Sequence, residues 1–123
     1  MNDVVGWLLD ETEREELLRR FPPVYPDVVA HHVTLRAKTP ADGPLPTATA
    51  GEIVGHVDDG RGLQALVVRI DGTTERPDGS TYHITWSLDR NQDRRPVESN
   101  HVLAEEGWTP CSPVPIRLIP ARF

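Results

Sequence analysis

The chain has 123 residues, with 13 basic and 19 acidic side chains and a formal net charge of −6. This length predicts a single domain, residues 1–123, that can bury its own core. The acidic balance excludes a protein that binds long duplex DNA through its phosphates, because that mode needs a basic face. No apolar run approaches membrane length, residues 1–10 lack the features of a signal peptide, and the single cysteine cannot form an internal disulfide. We therefore expect a soluble, cytoplasmic protein with no membrane partner.

The first predicted elements are a strand over residues 4–9 and a helix over residues 12–21. Asp10, Glu11 or Thr12 can cap this helix at its start. Acidic residues lie early in the helix and two arginines lie late, as the helix dipole favours. The two prolines that follow end the helix. We interpret its many charges as a solvated helix face.

A second strand is predicted over residues 28–37, where β-branched and apolar residues are frequent. Its centre, residues 32–35, reads HVTL. Alternate residues of a strand share a face, so His32 and Thr34 point one way while the two apolar residues point into a core. The following stretch, residues 39–49, is rich in proline, glycine and alanine. It predicts a loop close enough to the strand to border a site.

Three further strands are predicted, over residues 53–57, 63–70 and 81–88. The sequence DDGRG between the first two is the strongest hairpin signal in the chain, and a turn over residues 71–80 connects the second to the third. The pattern predicts an antiparallel meander. Its last strand contains HITW at residues 83–86, which places His83 and Thr85 on one face.

The end of the chain predicts less regular structure. Residues 89–95 are polar and indicate a loop, and residues 96–106, followed by Gly107, indicate a second helix. Residues 108–115 contain three prolines, so we expect an irregular segment there. Residues 116–119 indicate a closing strand. Composition and periodicity together support a mixed α+β fold.

Two histidine-plus-threonine units suit the chemistry of a phosphodiester. If the two strands lie side by side or face to face, His32 and His83 can share the tasks of taking a proton from water and giving one to the departing oxygen, since imidazole titrates near neutral pH. Thr34 and Thr85 lie roughly 6.5–7 Å along from the histidines. Their hydroxyls can donate to the non-bridging oxygens.

At these residues the chain resembles the 2H phosphoesterases, a family named for two H-x-[S/T]-x motifs, of which the first is often HVTL. Residues 32–35 match that form and residues 83–86 match with a bulkier last residue. The resemblance implies a compact bilobal fold in which antiparallel sheets form a central cleft with one or two outer helices. It also implies that His32 and His83 are catalytic and that Thr34 and Thr85 bind phosphate.

By the same resemblance, the substrate is the 2′,3′-cyclic phosphate end of an RNA or a small cyclic nucleotide phosphate, and no metal or cofactor takes part. The sequence agrees in showing no cysteine pair, H-x-x-x-H or histidine–carboxylate cluster. Two alternatives stay open. One is a non-catalytic module that binds the phosphate of a nucleotide or RNA end. The other is RNA end joining or repair, either by the reverse reaction or alongside a partner kinase or ligase.

Arg36, Ser87 and Tyr25 are possible substrate-binding residues. Arg36 and Ser87 lie two places past the motif threonines, and so on the same strand face. Tyr25 could stack on a base. His31 should point to the opposite face from its neighbour His32 and lie away from the site.

The remaining histidines and aromatic residues have weaker claims. His56 and His101 have no motif around them. Trp7, Trp86 and Trp108 could stack on a base as well, but for each of them core packing is the favoured interpretation.

Overall fold

The computed structural model describes residues 3–123 and contains two α-helices, a short 3₁₀ helix at Arg90–Gln92 and one sheet. The helices are α1 (Glu11–Arg20) and α2 (Glu98–Glu106). The strands are β1 (Val5–Leu9), β2 (Asp27–Val28), β3 (His32–Arg36), β4 (Ala50–Asp58), β5 (Leu63–Arg69), β6 (His83–Leu88) and β7 (Thr109–Arg122). Every pair of neighbours is antiparallel, in the order β2-β6-β5-β4-β7-β1-β3. The predicted α+β class is confirmed.

Helix α1 begins where its sequence provides a cap. The Asp10 carboxylate accepts a hydrogen bond from the backbone N–H of Glu13 at 3.0 Å, which satisfies one of the free donors of the first turn. The helix buries Leu17 against the sheet. Its last turn contains two arginines, and the helix ends before the two prolines, as predicted.

The strand predicted over residues 28–37 is broken in two. The backbone N–H groups of Val29 and Ala30 still donate to carbonyls of β6, at 2.9 and 3.0 Å, whereas the His31 carbonyl accepts from Leu9 of β1 at 3.2 Å. Ala30 has a φ of 43°, a left-handed conformation that few non-glycine residues adopt. The turn at Ala30 transfers the chain from one edge strand of the sheet to the other. One short segment thereby joins both edges and curls the sheet towards closure.

The predicted meander is present as β4, β5 and β6, and its hairpin turn lies where the sequence placed it. The Asp59 carboxylate accepts from the backbone N–H groups of Arg61 and Leu63 at 2.8 and 3.1 Å, which fixes the turn. In β6 the core residues are Ile84, Trp86 and Leu88, each with no exposed area. The meander thus anchors the second motif.

The expectation of an irregular segment over residues 108–115 is wrong. Strand β7 covers fourteen residues and contains four prolines, although proline cannot donate to a neighbouring strand. Residues up to 117 pair with β4, and residues 118–122 pair with β1 on the other side. Along most of its length β7 therefore has one paired side and one free side, which is the condition under which a strand tolerates proline.

The core consists of two clusters of buried side chains. The larger one lies inside the curled sheet and includes Trp7, Trp86 and Leu17. The smaller one packs α2 on the sheet through Val102 and Leu103. Both buried indoles have a hydrogen-bond acceptor, as Trp7 Nε1 donates to a backbone carbonyl at 2.8 Å and Trp86 Nε1 to another at 2.8 Å, so they serve the core rather than a ligand.

Trp108 is half-buried and packs against the smaller cluster.

Within residues 3–123, neither helix has the length and apolar composition that crossing a membrane requires.

Candidate active site

The four motif side chains border one cavity. His32, Thr34, His83 and Thr85 all line a space of about 460 Å³, which α2 and the turn before it also border. The remaining lining consists of Arg76, Asn100 and five apolar residues: Val4, Ala37, Pro96, Val97 and Phe123. The structure therefore places both H-x-T units of the sequence on the same surface.

On the β3 side, a close approach of two backbones sets the position of the first motif. Gly6 of β1 lies opposite Thr34, and a Cβ atom on Gly6 would come within 2.1 Å of the Val33 carbonyl oxygen. Glycine is therefore required for β1 to pair with β3 at this spacing. Val33 has no exposed area, which leaves its neighbours His32 and Thr34 facing the cavity.

His32 is half-buried and makes contacts on two sides. Its Nδ1 lies 3.0 Å from Nδ1 of His31, and its ring centre lies 4.5 Å from that of Phe123. Burial, together with the smaller effects of the charges of His31 and His83, lowers the pKa of His32 to about 4. In the free protein at neutral pH, His32 is an uncharged imidazole.

His31 was expected to lie away from the site, and that expectation is wrong in one respect. Its exposed side chain lines a separate cavity beside α1, yet its ring contacts His32 edge-on at a centroid distance of 5.3 Å. Simple strand alternation fails here because the turn at Ala30 immediately precedes it and β3 begins only at His32.

His83 is 9% exposed, and its Nδ1 lies 2.8 Å from the Thr81 carbonyl oxygen. Because a carbonyl only accepts, Nδ1 carries the proton of the neutral ring and Nε2 is left to take up or release a proton. Burial lowers the pKa of His83; the hydrogen bond to Thr81 opposes this effect, and the charge of Arg76 adds to it. His83 is therefore also uncharged at neutral pH.

The two motif threonines differ in their partners. Among residues 3–123, no hydrogen bond to the Thr34 hydroxyl is found, so this group is free to donate into the cavity. The Thr85 hydroxyl lies 3.2 Å from the Pro96 carbonyl oxygen and 2.8 Å from Ser99 Oγ. To donate to a ligand, Thr85 must first give up one of these bonds.

Arg76 and Asn100 are lining residues that the sequence analysis missed. Arg76 lies in the turn predicted over residues 71–80 and is 8% exposed, whereas the residues on both sides of it are exposed. It donates from Nη1 to Asn100 Oδ1 at 3.2 Å. No sequence signal separates Arg76 from the other eleven arginines, because its burial depends on how the turn folds back over the sheet.

None of the three additional candidates lines the cavity. Ser87 has no exposed area and donates to Gln64 Oε1 at 2.6 Å, so its assignment to substrate binding is corrected to a buried structural role. Tyr25 donates to Asp58 Oδ1 at 2.5 Å, at the β4–β5 hairpin. Arg36 is exposed and borders a different cavity, next to the loop after β3, because strand β3 ends there.

The other histidines lie outside the cavity. His56 is exposed, and His101 is 3.4 Å from Glu105 on the outer face of α2. Within the described part of the chain, no three histidine, cysteine, aspartate or glutamate side chains come together as metal ligands would.

Comparisons with protein-family models, curated proteins and solved structures found no match for the chain. Two histidines, the Thr34 and Thr85 hydroxyls, the Asn100 amide and one buried guanidinium line a cavity whose other walls are apolar. This combination can bind a small phosphate ester and move protons to and from it.

Proposed function

We propose that the protein is a metal-independent phosphodiesterase of the 2H type that hydrolyses 2′,3′-cyclic phosphate ends of RNA or small cyclic nucleotide phosphates. The observation that carries the proposal is the shared cavity. His32 and His83 come from strands that are not paired with each other, and both line the same space. Either motif alone would be weak support, since short motifs often arise by chance.

In the reaction, the oxygen of a water molecule attacks phosphorus while one neutral imidazole takes its proton. The other imidazole, in its protonated form, gives a proton to the ribose oxygen as the bond from that oxygen to phosphorus breaks. The product is a ribose phosphate monoester. General acid and base groups each accelerate such a step by about 10²–10⁴-fold, and His32 and His83 fill the two roles.

Both histidines are neutral in the free protein, because burial lowers both pKa values. A bound phosphate brings a negative charge beside the imidazoles and favours the protonated form of one of them. Substrate binding thus prepares the acid of the pair. The low pKa values also keep the other imidazole available as a base in slightly acidic solution.

We also propose that the sheet corresponds to the two lobes of a 2H fold. The half β2-β6-β5-β4 contains the second motif near its edge, and the half β7-β1-β3 contains the first motif at its edge. Helix α2 packs on β4 and β5, and Leu17 of α1 belongs to the larger cluster, which includes residues of β1 and β7 and also of β4, β5 and β6. The curl of the sheet then forms the cleft.

A cavity of about 460 Å³ lies within the roughly 300–1,000 Å³ of small-molecule sites. It suits a mononucleotide or the last nucleotide of an RNA better than a long duplex. The acidic net charge of −6 agrees with a small ligand. We place this activity in the cytoplasm, where a lone cysteine stays reduced.

The test is a panel of phosphodiesters incubated with the purified full-length protein and followed by ³¹P NMR. We expect 2′,3′-cyclic nucleotides, free or at the end of a short RNA, to be converted to monoesters. Saturable binding of the same compounds without turnover would support the alternative of a phosphate-binding module. The absence of both binding and turnover with every cyclic phosphate in the panel would contradict both functions.

A further inference from the structure

We propose that Arg76, supported by Asn100, is the anion-binding residue of the cavity. Its guanidinium would bind the non-bridging oxygens of a ligand's phosphate, so that the cavity accepts charged phosphate esters and rejects neutral ones. A role for Arg76 in catalysis rests on the proposed function. Its role in phosphate binding is tested separately, because binding can be measured without turnover.

The position of Arg76 is unusual for an arginine in a surface turn. The turn connects β5 to β6, and two hydrogen bonds close it around Arg76: its N–H donates to the Ser80 carbonyl at 2.7 Å, and its carbonyl accepts from Gly79 at 2.9 Å. The side chain is only 9% exposed. Burying a charged group costs free energy unless partners compensate for it.

The partners of Arg76 within the described residues compensate for little of that cost. The Asn100 amide is neutral, and Asp78, the one carboxylate near the guanidinium, lies 3.5 Å from Nη2 with its own side chain 61% exposed. The Asp78 carboxylate also accepts two hydrogen bonds from Ser80. No hydrogen-bond partner of Arg76 Nε is found among residues 3–123. A guanidinium has five N–H donors, so Arg76 has donors to spare for a ligand.

Among the lining residues in the described part of the chain, Arg76 is the one that carries a charge at neutral pH. No carboxylate lines the cavity, and both histidines are neutral. The one formal charge in the lining is therefore positive, and the walls beside it are mainly apolar. A planar guanidinium with free donors matches a phosphate, to which arginine can make two parallel hydrogen bonds.

The partners of Thr85 strengthen the assignment. Because its hydroxyl already lies within hydrogen-bond distance of Pro96 and Ser99, the β6 side of the cavity has no free hydroxyl donor at that position. Arg76, whose charge acts on His83 of β6, supplies donors to the same cavity that Thr34 of β3 lines. Asn100 Nδ2 donates to the Val97 carbonyl at 3.2 Å, which keeps its Oδ1 turned towards Arg76.

The experiment titrates inorganic phosphate into the full-length protein and follows binding by calorimetry and by the imidazole NMR signals of His32 and His83. The variants are Arg76→Gln and Arg76→Lys, and Arg61→Gln is the control, since Arg61 is exposed and pairs with Glu106 outside the cavity. We expect Arg76→Gln to weaken phosphate binding at least about tenfold, as lost charged hydrogen bonds do. Arg76→Lys should weaken phosphate binding less than Arg76→Gln does, and Arg61→Gln should leave phosphate binding unchanged.

Wild-type affinity for phosphate in a folded Arg76→Gln variant would overturn the inference, and so would absence of phosphate binding by the wild-type protein. If Arg76→Gln does not fold, Asn100→Asp provides the test, because a carboxylate beside Arg76 should neutralise it and weaken phosphate binding. Unchanged phosphate binding in Asn100→Asp would also overturn the inference. Phosphate binding that depends on Arg76 in a protein without turnover would contradict the proposed function and leave this inference standing.

Discussion

The Nδ1 atoms of His31 and His32 lie 3.0 Å apart, so the two rings share one proton in a hydrogen bond between them. The direction of this bond fixes the tautomer of His32. If His32 donates, its Nε2 is an unprotonated base; if His31 donates, Nε2 of His32 carries the proton instead. An exposed residue outside the motif therefore controls which nitrogen of His32 can act in the cavity.

Replacement of His31 by alanine should raise the pKa of His32 from about 4 towards its ordinary value of 6.5 without reaching it. The charge of His31 is one cause of the low pKa, but burial is the larger cause and remains in the variant. An NMR pH titration of the His32 ring measures the change. An unchanged pKa of His32 in His31→Ala would show that the two rings are not coupled.

The low pKa of His32 also predicts how stability depends on pH. Between pH 6.5 and about 4, the unfolded chain binds a proton at His32 that the folded protein does not, so the free energy of unfolding falls as the pH is lowered through this range. A shift from 6.5 to about 4 corresponds to about 3 kcal/mol, at 1.36 kcal/mol per pKa unit. Solvent at the half-buried ring reduces this value. The lowered pKa of His83 likewise makes the free energy of unfolding fall as the pH is lowered.

Urea unfolding of the wild type and of His32→Gln at several pH values isolates this contribution. Glutamine cannot titrate, so the variant should lose less stability than the wild type as the pH falls from 6.5 to 4. Equal losses in the two proteins would mean that His32 is not buried in its neutral form.

Gly6→Ala should destabilise the protein by about 1–3 kcal/mol, the usual cost of forcing extra atoms into a packed region. The new Cβ would lie 2.1 Å from the Val33 carbonyl oxygen, and β1 and β3 would have to separate. Because β3 contains the first motif, phosphate binding and any turnover should decline as well. Gly43→Ala is the matched control, with 3.1 Å to the nearest atom, and should cost less in a thermal or urea unfolding measurement.

Activity on a cyclic phosphate should survive treatment with EDTA. The proposed proton transfers use two imidazoles, and the charge on the phosphate is met by the guanidinium and hydroxyl groups of the cavity. The rate is compared before and after incubation with the chelator, followed by dialysis. Loss of activity that returns on addition of a divalent cation would contradict a metal-independent reaction.

Much of this arrangement could be predicted from local sequence. The helix cap at Asp10, the hairpin before Leu63 and the burial of Val33, Ile84 and Trp86 follow from turn chemistry and strand alternation, which depend on nearby residues. The same alternation indicated which face His83 presents.

The rest depends on how distant segments meet. The positive φ at Ala30 follows from the switch of strand partners, which no local pattern reveals. Strand β7 tolerates its prolines because its pairing changes sides along its length. Arg76 and Asn100 are brought together by tertiary packing, and Ser87, which alternation assigned to the site face, is covered by the segment around Tyr25.

The most direct measurement compares hydrolysis of a 2′,3′-cyclic nucleotide by the wild-type protein, His32→Ala, His83→Ala and the control His56→Ala, whose histidine is exposed and does not line the cavity. Circular dichroism establishes that each variant folds. We predict that His32→Ala and His83→Ala each lower kcat by about 10²–10⁴-fold and that His56→Ala retains the wild-type rate. Wild-type turnover in either folded cavity variant would contradict a reaction shared between His32 and His83.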